Sequence, residues 1–423
     1  MNRRTLALPL SLLTLASMAT GCGSLSLGGS EDRETVTVWL MQNSASKDFL
    51  AKFTEEFEAE HSDIDLDIRI QEWSGIGEKV GKALADDSPD APDVIEVGNT
   101  QVAQYVDQGG VLDLSLESLR DLGMKDWLPG LAEPGAVKGS QFGIPWYAAN
   151  RVVLYNKDLF ADAGIDRLPR DREEWLEQTA QLNSDGNQGI YLAGQDWYTL
   201  AGFIWEEGGE LAEEENGVWT GSLHSPEAIA GMDFYRRLQS LGDGPKDADE
   251  QTPPQAEVFA KGRVAQIITV PGAVKLIEET NPELAGKIGY FPVPGKKDGR
   301  PGAVFTGGSD LVIPERTDQE WGAKEVVKAL AGERWQKELA TTMSYVPNKT
   351  TLASAVAANP GAAAMAEGAA RGRATPNSPR WAAVEADNPI KRYMTEVLIG
   401  ANPKPTAREA SEKITEILDQ RGE

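Results

Sequence analysis

The first 110 residues alternate between two hydrophobic periods, and that alternation restricts the available architectures more than any other feature. "TVTVWL" (35–40) places β-branched residues two apart and reads as a strand. After the polar turn Gln42, Asn43, Ser44, the rings of Phe49, Phe53 and Phe57 recur every four residues and give one apolar helix face. "IDLDIRI" (64–70) returns to period two with one wet face, and a helix is expected over 79–85. "DVIEVG" (93–98) is a third strand, followed by a helix over 100–107. A βαβαβα order needs crossover connections, hence a largely parallel sheet covered by helices. Ligands of such sheets gather at the loops beyond the carboxyl ends of the strands. Those loops begin here at Gln42, Trp73 and Asn99.

A second region follows. "PRDREEWLEQTAQL" (169–182) reads as an amphipathic helix, and a helix bearing Trp197 and Trp205 is entered through a Gly-Gln-Asp turn. "RVAQIITV" (263–270) and "KIGYFPVP" (287–294) read as strands, and a polar Gly/Pro loop (295–302) leads to the strand opened by "TGGSDLVI" (306–313). The Ala/Gly-rich stretch 353–372 is helix-compatible and reads as packed helices. About 390 residues beyond the leader exceed one ordinary domain and predict two or three units.

The single cysteine sits at the end of "LPLSLLTLASMATGCGS" (8–24). Arg3 and Arg4 form a positive start, and the apolar run 6–15 is shorter than the ~20 residues of a spanning helix. With Ala19, Thr20 and Gly21 before Cys22, the segment resembles the bacterial lipobox, although Ala19 stands where leucine is usual. That resemblance implies a signal peptide over 1–21, a diacylated Cys22, and a small flexible tether over 22–34. The other possibility is a plain secretory signal cut near Ala16 or Ala19, leaving Cys22 a free thiol. No cysteine follows, so no disulfide supports the fold and the core must hold it.

The formal charge is −25, and −27 once Arg3 and Arg4 are removed. So acidic a surface repels phosphate backbones, which argues against a nucleic-acid partner. Only His61 and His224 are present, so metal-ligand spacing is absent and no metal or cofactor is expected. No Ser-His-Asp setting, G-x-S-x-G elbow or GxxxxGKS loop occurs. A glycosidase would need two carboxylates at a set separation, and 66 acidic residues leave that pairing open without a motif to mark it. No catalytic residue is assigned, and a binding protein rather than an enzyme is expected. A structural adhesion lipoprotein would not need this alternation of strands and helices.

Several blocks, in order, resemble extracellular solute-binding proteins that feed ABC sugar importers. These are "VLYNKDLFADAGI" (153–165), "VFAKGRVAQIIT" (258–269), "GYFPVPG" (289–295) with "TGGSDLVI", "SYVPNKTTL" (344–352) and "RATPNSPRWAAVE" (373–385). The likeness runs over about 35–420 and points to the family-one, maltodextrin-binding-like group. Its wording is similar to chitobiose- and N-acetylglucosamine-binding lipoproteins of Gram-positive bacteria. The resemblance implies an α/β, two-lobe, periplasmic-binding-protein-like fold of type II, with a saccharide held in the cleft. The lobes would be 35–146 with 290–332, and 151–288 with 338–423, joined by crossings at 147–150, 289 and 333–337. It further implies a monomer on the outer face of the cell membrane, delivering an oligosaccharide to ABC permease transmembrane subunits. The same fold serves non-sugar solutes such as peptides.

A saccharide cleft needs aromatic planes for sugar faces and fixed polar groups for hydroxyl edges. Candidate planes are Trp73 at a strand end, Tyr147 at the first crossing, and Trp197 and Trp205, two helical turns apart. Core packing competes with binding for each tryptophan, evenly for Trp205. Candidate polar groups are Gln42, Asn43, Asn99 and Gln101 at the strand ends, with helix capping an alternative for Asn99. Gly308 and Ser309, with Gly307, would admit backbone close to a ligand, and Arg373 would fork hydrogen bonds to adjacent hydroxyls. Asn150 is a ligand contact or a hinge residue. Many members of the group carry an aromatic where this chain has Ala273, which removes a platform and favours a short or N-acetylated saccharide.

Overall fold

The computed structural model describes residues 33–73, 75–86, 91–297 and 299–419; Cys22, the leader and most of the tether lie outside them. The opening alternation folds as β1 (Glu34–Met41), α1 (Lys47–Glu60), β2 (Ile64–Gln71), α2 (Ile76–Leu84) and β3 (Val94–Gly98). Ser46 starts α1 by accepting from the Phe49 amide, satisfying one of the free donors of the first turn. Both β2 and β3 pair with β1 in parallel. Further along come β4 (Ile144–Asn150), β5 (Val152–Asn156), α3 (Trp197–Glu207), β6 (Gln266–Thr269), β7 (Ile288–Phe291) and β8 (Val304–Val312). Helices α4 (Glu333–Met343) and α5 (Trp381–Asp387) complete the elements that matter for the site.

The large sheet has the order Val346–Pro347, β4, β8, β3, β1, β2, with Gly372–Arg373 alongside the start of β8. Strand β8 runs antiparallel to both β3 and β4. The second lobe carries a smaller antiparallel sheet, β6-β5-β7. Only Arg151 separates β4 from β5, so the chain leaves one sheet and joins the other across a single residue.

Packing displaces all three expected crossings; 147–150 lie within β4 of the large sheet, which leaves Arg151 alone as the first. Gly289, expected as a crossing, is inside β7 and pairs with Tyr155. The chain therefore returns to the first lobe only between Phe291 and Val304. Residues 333–337, expected as the third crossing, begin α4 and belong to the first lobe's core. Trp335 meets Phe49 edge-on at 5.5 Å and Phe53 at 4.9 Å. The phenylalanine stripe of α1 needs an apolar lid, and burying each ring contributes about 1.5–3 kcal/mol. A stripe shows that a partner exists without naming it, which is why the boundary was misplaced.

Asp310 of β8 is fully buried, and neither carboxyl oxygen has a hydrogen-bond partner among the described residues. Burial pushes its pKa well above the usual carboxylate range. The folded state therefore holds a proton that the unfolded state releases above about pH 4. The resulting penalty is absent in acid and grows as pH rises toward the folded-state value. Asp310→Asn removes the titration. The variant's stability relative to the wild type is expected to be more favourable at pH 7 than at pH 5, measured as urea midpoints at the two pH values.

Candidate ligand-binding site between the lobes

The order β2-β1-β3 puts a topological switch at β1, the place where ligands of such sheets gather. The first loop is set from below by a buried carboxylate. Glu96 of β3 accepts from the Met41 amide at 2.7 Å, Ser44 Oγ at 2.7 Å, Ser309 Oγ at 2.6 Å and the Tyr147 hydroxyl at 3.0 Å. Burial raises its pKa to about 6, and these donors hold it from rising further. The network fixes Ser44, and so presents the exposed Gln42 and Asn43, the latter at φ 67°. Tyr345 stacks on Tyr147 at 4.1 Å and donates to the Asn43 carbonyl at 3.1 Å.

At the next two loops, the Trp73 ring lies against Gly98, and a Cβ there would come within 3.9 Å of the indole and of the Gln101 amide oxygen. Trp73 is 43% exposed. Across from this edge stands α5. Glu385 accepts from its own helix's Trp381 Nε1 at 3.0 Å and meets Thr100 Oγ1 of the first lobe at 3.4 Å. Burial pushes the Glu385 pKa up to about 7, against the pull of those two donors.

The wall of the second lobe is the start of α3. Asp196 caps it, accepting from the Thr199 amide and hydroxyl. Tyr198 stacks on Phe305 of β8 at 4.3 Å and lies 3.9 Å from Trp197. Arg151, the residue between the sheets, sits 5.0 Å from the Tyr198 ring and pairs with Glu250 at 2.8 Å and Asp196 at 3.4 Å. Burial opposes its charge, but Asp196 and Glu250 together outweigh that and hold the guanidinium above its ordinary range. Arg151, Tyr198 and Phe305 bound a space of about 10 Å³, room for at most one water. On the other side, Pro271–Gly272, Val274, Lys275 and Tyr290 face Ser344 and Asn359 across a groove of about 480 Å³. Ala273 begins the helix Ala273–Thr280, whose Val274 and Lys275 line that groove.

Several expected contacts have partners within the protein. Tyr147 is 6% exposed and Ser309 is buried; both serve Glu96 because their strands lie inside the sheet. Gly308, at φ 147°, permits the β4 pairing: a Cβ would sit 2.1 Å from the Tyr147 carbonyl. Asn99 is buried and donates to the Thr306 carbonyl, and Asn150 donates to that of Met365. Trp197 and Trp205 are each 5% exposed in the core of the second lobe. Arg373 lies over Trp205 and pairs with Glu210 at 2.8 Å. Gln42, Asn43, Trp73 and Gln101 keep exposed or half-buried side chains at the opening. Sequence reasoning passed over Thr100, Arg151, Tyr198, Tyr345 and Glu385. Tyr198 had the same local signal as Trp197, Glu385 ends the block "RATPNSPRWAAVE" and Tyr345 lies in "SYVPNKTTL"; Thr100 and Arg151 gave none.

Two α/β lobes, joined by crossing strands and meeting over the carboxyl ends of a parallel strand set, define a bilobal solute-binding protein. The chain belongs to the bacterial extracellular solute-binding protein family, which its residues 43–337 match. It is 37% identical over 389 residues to the diacetylchitobiose-binding protein DasA of Streptomyces coelicolor, covering 92% of this chain and 90% of that one. Among solved structures it is similar to the sugar-binding protein MalE of Xanthomonas citri, at TM-score 0.81, 22% identity and coverage of 91% and 97% of the two chains. It is also similar to the GacH receptor of Streptomyces glaucescens, at TM-score 0.75, 24% identity and coverage of 92% and 100%. The two-lobe fold and the family inferred from the sequence blocks are those found.

Proposed function

We propose that this protein is the extracellular binding subunit of an ABC importer for a short N-acetylated saccharide of the diacetylchitobiose type. The observation that carries this reading is the exposed indole of Trp73, set beside Gln101 at the strand ends and opposite the second lobe. It offers an apolar plane with amide groups at its edge, which suits a pyranose face and its hydroxyl rim. The likeness to DasA supports the N-acetylated class, and Ala273, beside the open groove, fits a ligand bulkier at one point than a simple glucoside. Binding draws the lobes together because the ligand gains contacts on both, and the permease subunits recognise that form. Cys22, by its lipobox-like setting, tethers the protein to the outer face of the membrane through lipid.

Calorimetric titration with diacetylchitobiose, N-acetylglucosamine, maltose, cellobiose and trehalose tests the reading. Diacetylchitobiose is expected to bind most tightly and to be recovered intact. Silence across the panel would favour a non-sugar solute, and recovery of cleaved sugar would favour an enzyme.

A further inference from the structure

The exposed Gln42 and Asn43 stand on a tight turn whose two ends are fastened to one carboxylate. Glu96, wholly buried on β3, accepts the Met41 amide on one oxygen and the Ser44 hydroxyl on the other, each at 2.7 Å. The Ser44 amide closes the turn on the Met41 carbonyl at 3.1 Å. The Gln42 amide donates to the Gln71 carbonyl at 2.7 Å, two residues before Trp73, so the turn is tied to the indole's loop as well. Ser309 and Tyr147 add their hydroxyls on the oxygen that Ser44 uses. All four donors are neutral, and each hydroxyl has a single proton to give. An ionised carboxyl accepts from every one of them. A protonated carboxyl must itself donate, so at least one hydroxyl has to reverse, in a place water does not reach.

We propose that Glu96 is a positioning residue for solute capture: as a carboxylate it sets the Gln42–Asn43 turn, and protonation releases the turn and weakens binding. This rests on the solute lying at the loops after β1, β2 and β3, as proposed above, and not on which solute it is. The ionisable groups around Glu96 leave it to titrate alone. Tyr147 of β4 is pushed well above its ordinary range and Tyr345, stacked on it, to about 12, so both stay neutral. Asp310, next to Ser309 on β8, pairs with Val97 and falls on the other face of the sheet. Glu385, facing Thr100 beyond the end of β3, titrates nearer pH 7 and is separated by the variants below. Burial lifts the Glu96 pKa to about 6. At pH 5 roughly a tenth of the molecules then keep the carboxylate, and apparent affinity falls with that fraction. By reciprocity, solute favours the ionised form, and binding in mild acid releases a proton.

Calorimetric titration with diacetylchitobiose from pH 7.5 to 5, in buffers of differing ionisation enthalpy, reads affinity and proton release together. The wild-type Kd is expected to rise about three- to tenfold across that range. Glu96→Gln keeps the shape without the charge; its Kd is expected to be weakened already at pH 7.5 and to lose the change centred near pH 6. Ser44→Ala removes one donor to the carboxylate and should move that change to higher pH, a shift that a merely structural role would not produce and that stands even if Glu96→Gln does not fold. Hydrogen exchange on the ligand-free protein reads the turn itself. Corrected for intrinsic rates, the Met41 and Ser44 amides should exchange faster at pH 5 than at pH 7.5 in the wild type. A wild-type Kd flat down to pH 5, a change near pH 6 that survives in Glu96→Gln, or an unmoved midpoint in Ser44→Ala would overturn the proposal. Failure of diacetylchitobiose to bind at any pH would count against the proposed solute, and exchange would then decide: protection of Met41 and Ser44 that does not vary with pH overturns the role of Glu96.

Discussion

Trp73→Ala is expected to weaken saccharide binding by about 1–3 kcal/mol, roughly a 5- to 150-fold rise in Kd. The indole is 43% exposed, so little of it contributes to the core, and truncation should leave the unfolding midpoint nearly unchanged. What is lost is a flat apolar surface at the end of β2. The Trp73 ring already rests against Gly98, which holds one part of it in place before ligand arrives. A preset ring needs less ordering on binding, so the loss should appear mainly as faster dissociation. Stopped-flow fluorescence and calorimetry on the wild type and variant measure both quantities. Equal affinities would return Trp73 to ordinary surface packing and remove the main support for a sugar plane at this edge.

Arg151→Met should have the largest effect on stability. Removing the guanidinium leaves Asp196 and Glu250 facing one another in a site with little water, and breaking a buried pair from one side costs about 3–5 kcal/mol. The carboxylate of Glu250 is already pushed up by burial and by Asp196, so the variant should shed part of the cost by taking up a proton there. Its deficit should accordingly shrink as pH falls from 7 toward 5. Denaturant unfolding at several pH values measures this. A deficit that stays constant with pH would mean that lost packing on Tyr198, and not stranded charge, is responsible.

The fold was legible to the extent that it is written in local periods. The strands at 35–40, 64–70 and 93–98 and the stripe of Phe49, Phe53 and Phe57 reappear with small shifts at their ends. What local periods omit is which element covers which. Trp335 closes the α1 stripe from more than 280 positions away, and nothing near it says so. The site divides in the same way. Trp73 stands out because glutamate and serine flank it at a strand end. Tyr147, Trp197 and Trp205 have the residue type expected of a sugar plane, yet lie in the core because their elements face inward. Glu385 and Thr100 come together only when two distant segments meet, which no local period records.

The seam at Arg151 has one more consequence. With β4 paired through Asn150 and β5 from Val152, both ladders are in register right up to it. One inserted residue at that seam would rotate β5 by a full pleat, turning Val153 out of its core and Leu154 to the opposite side. Surface loops of this chain have slack to absorb a change in length; this junction has none, and its span is dictated by the geometry of two sheets at once.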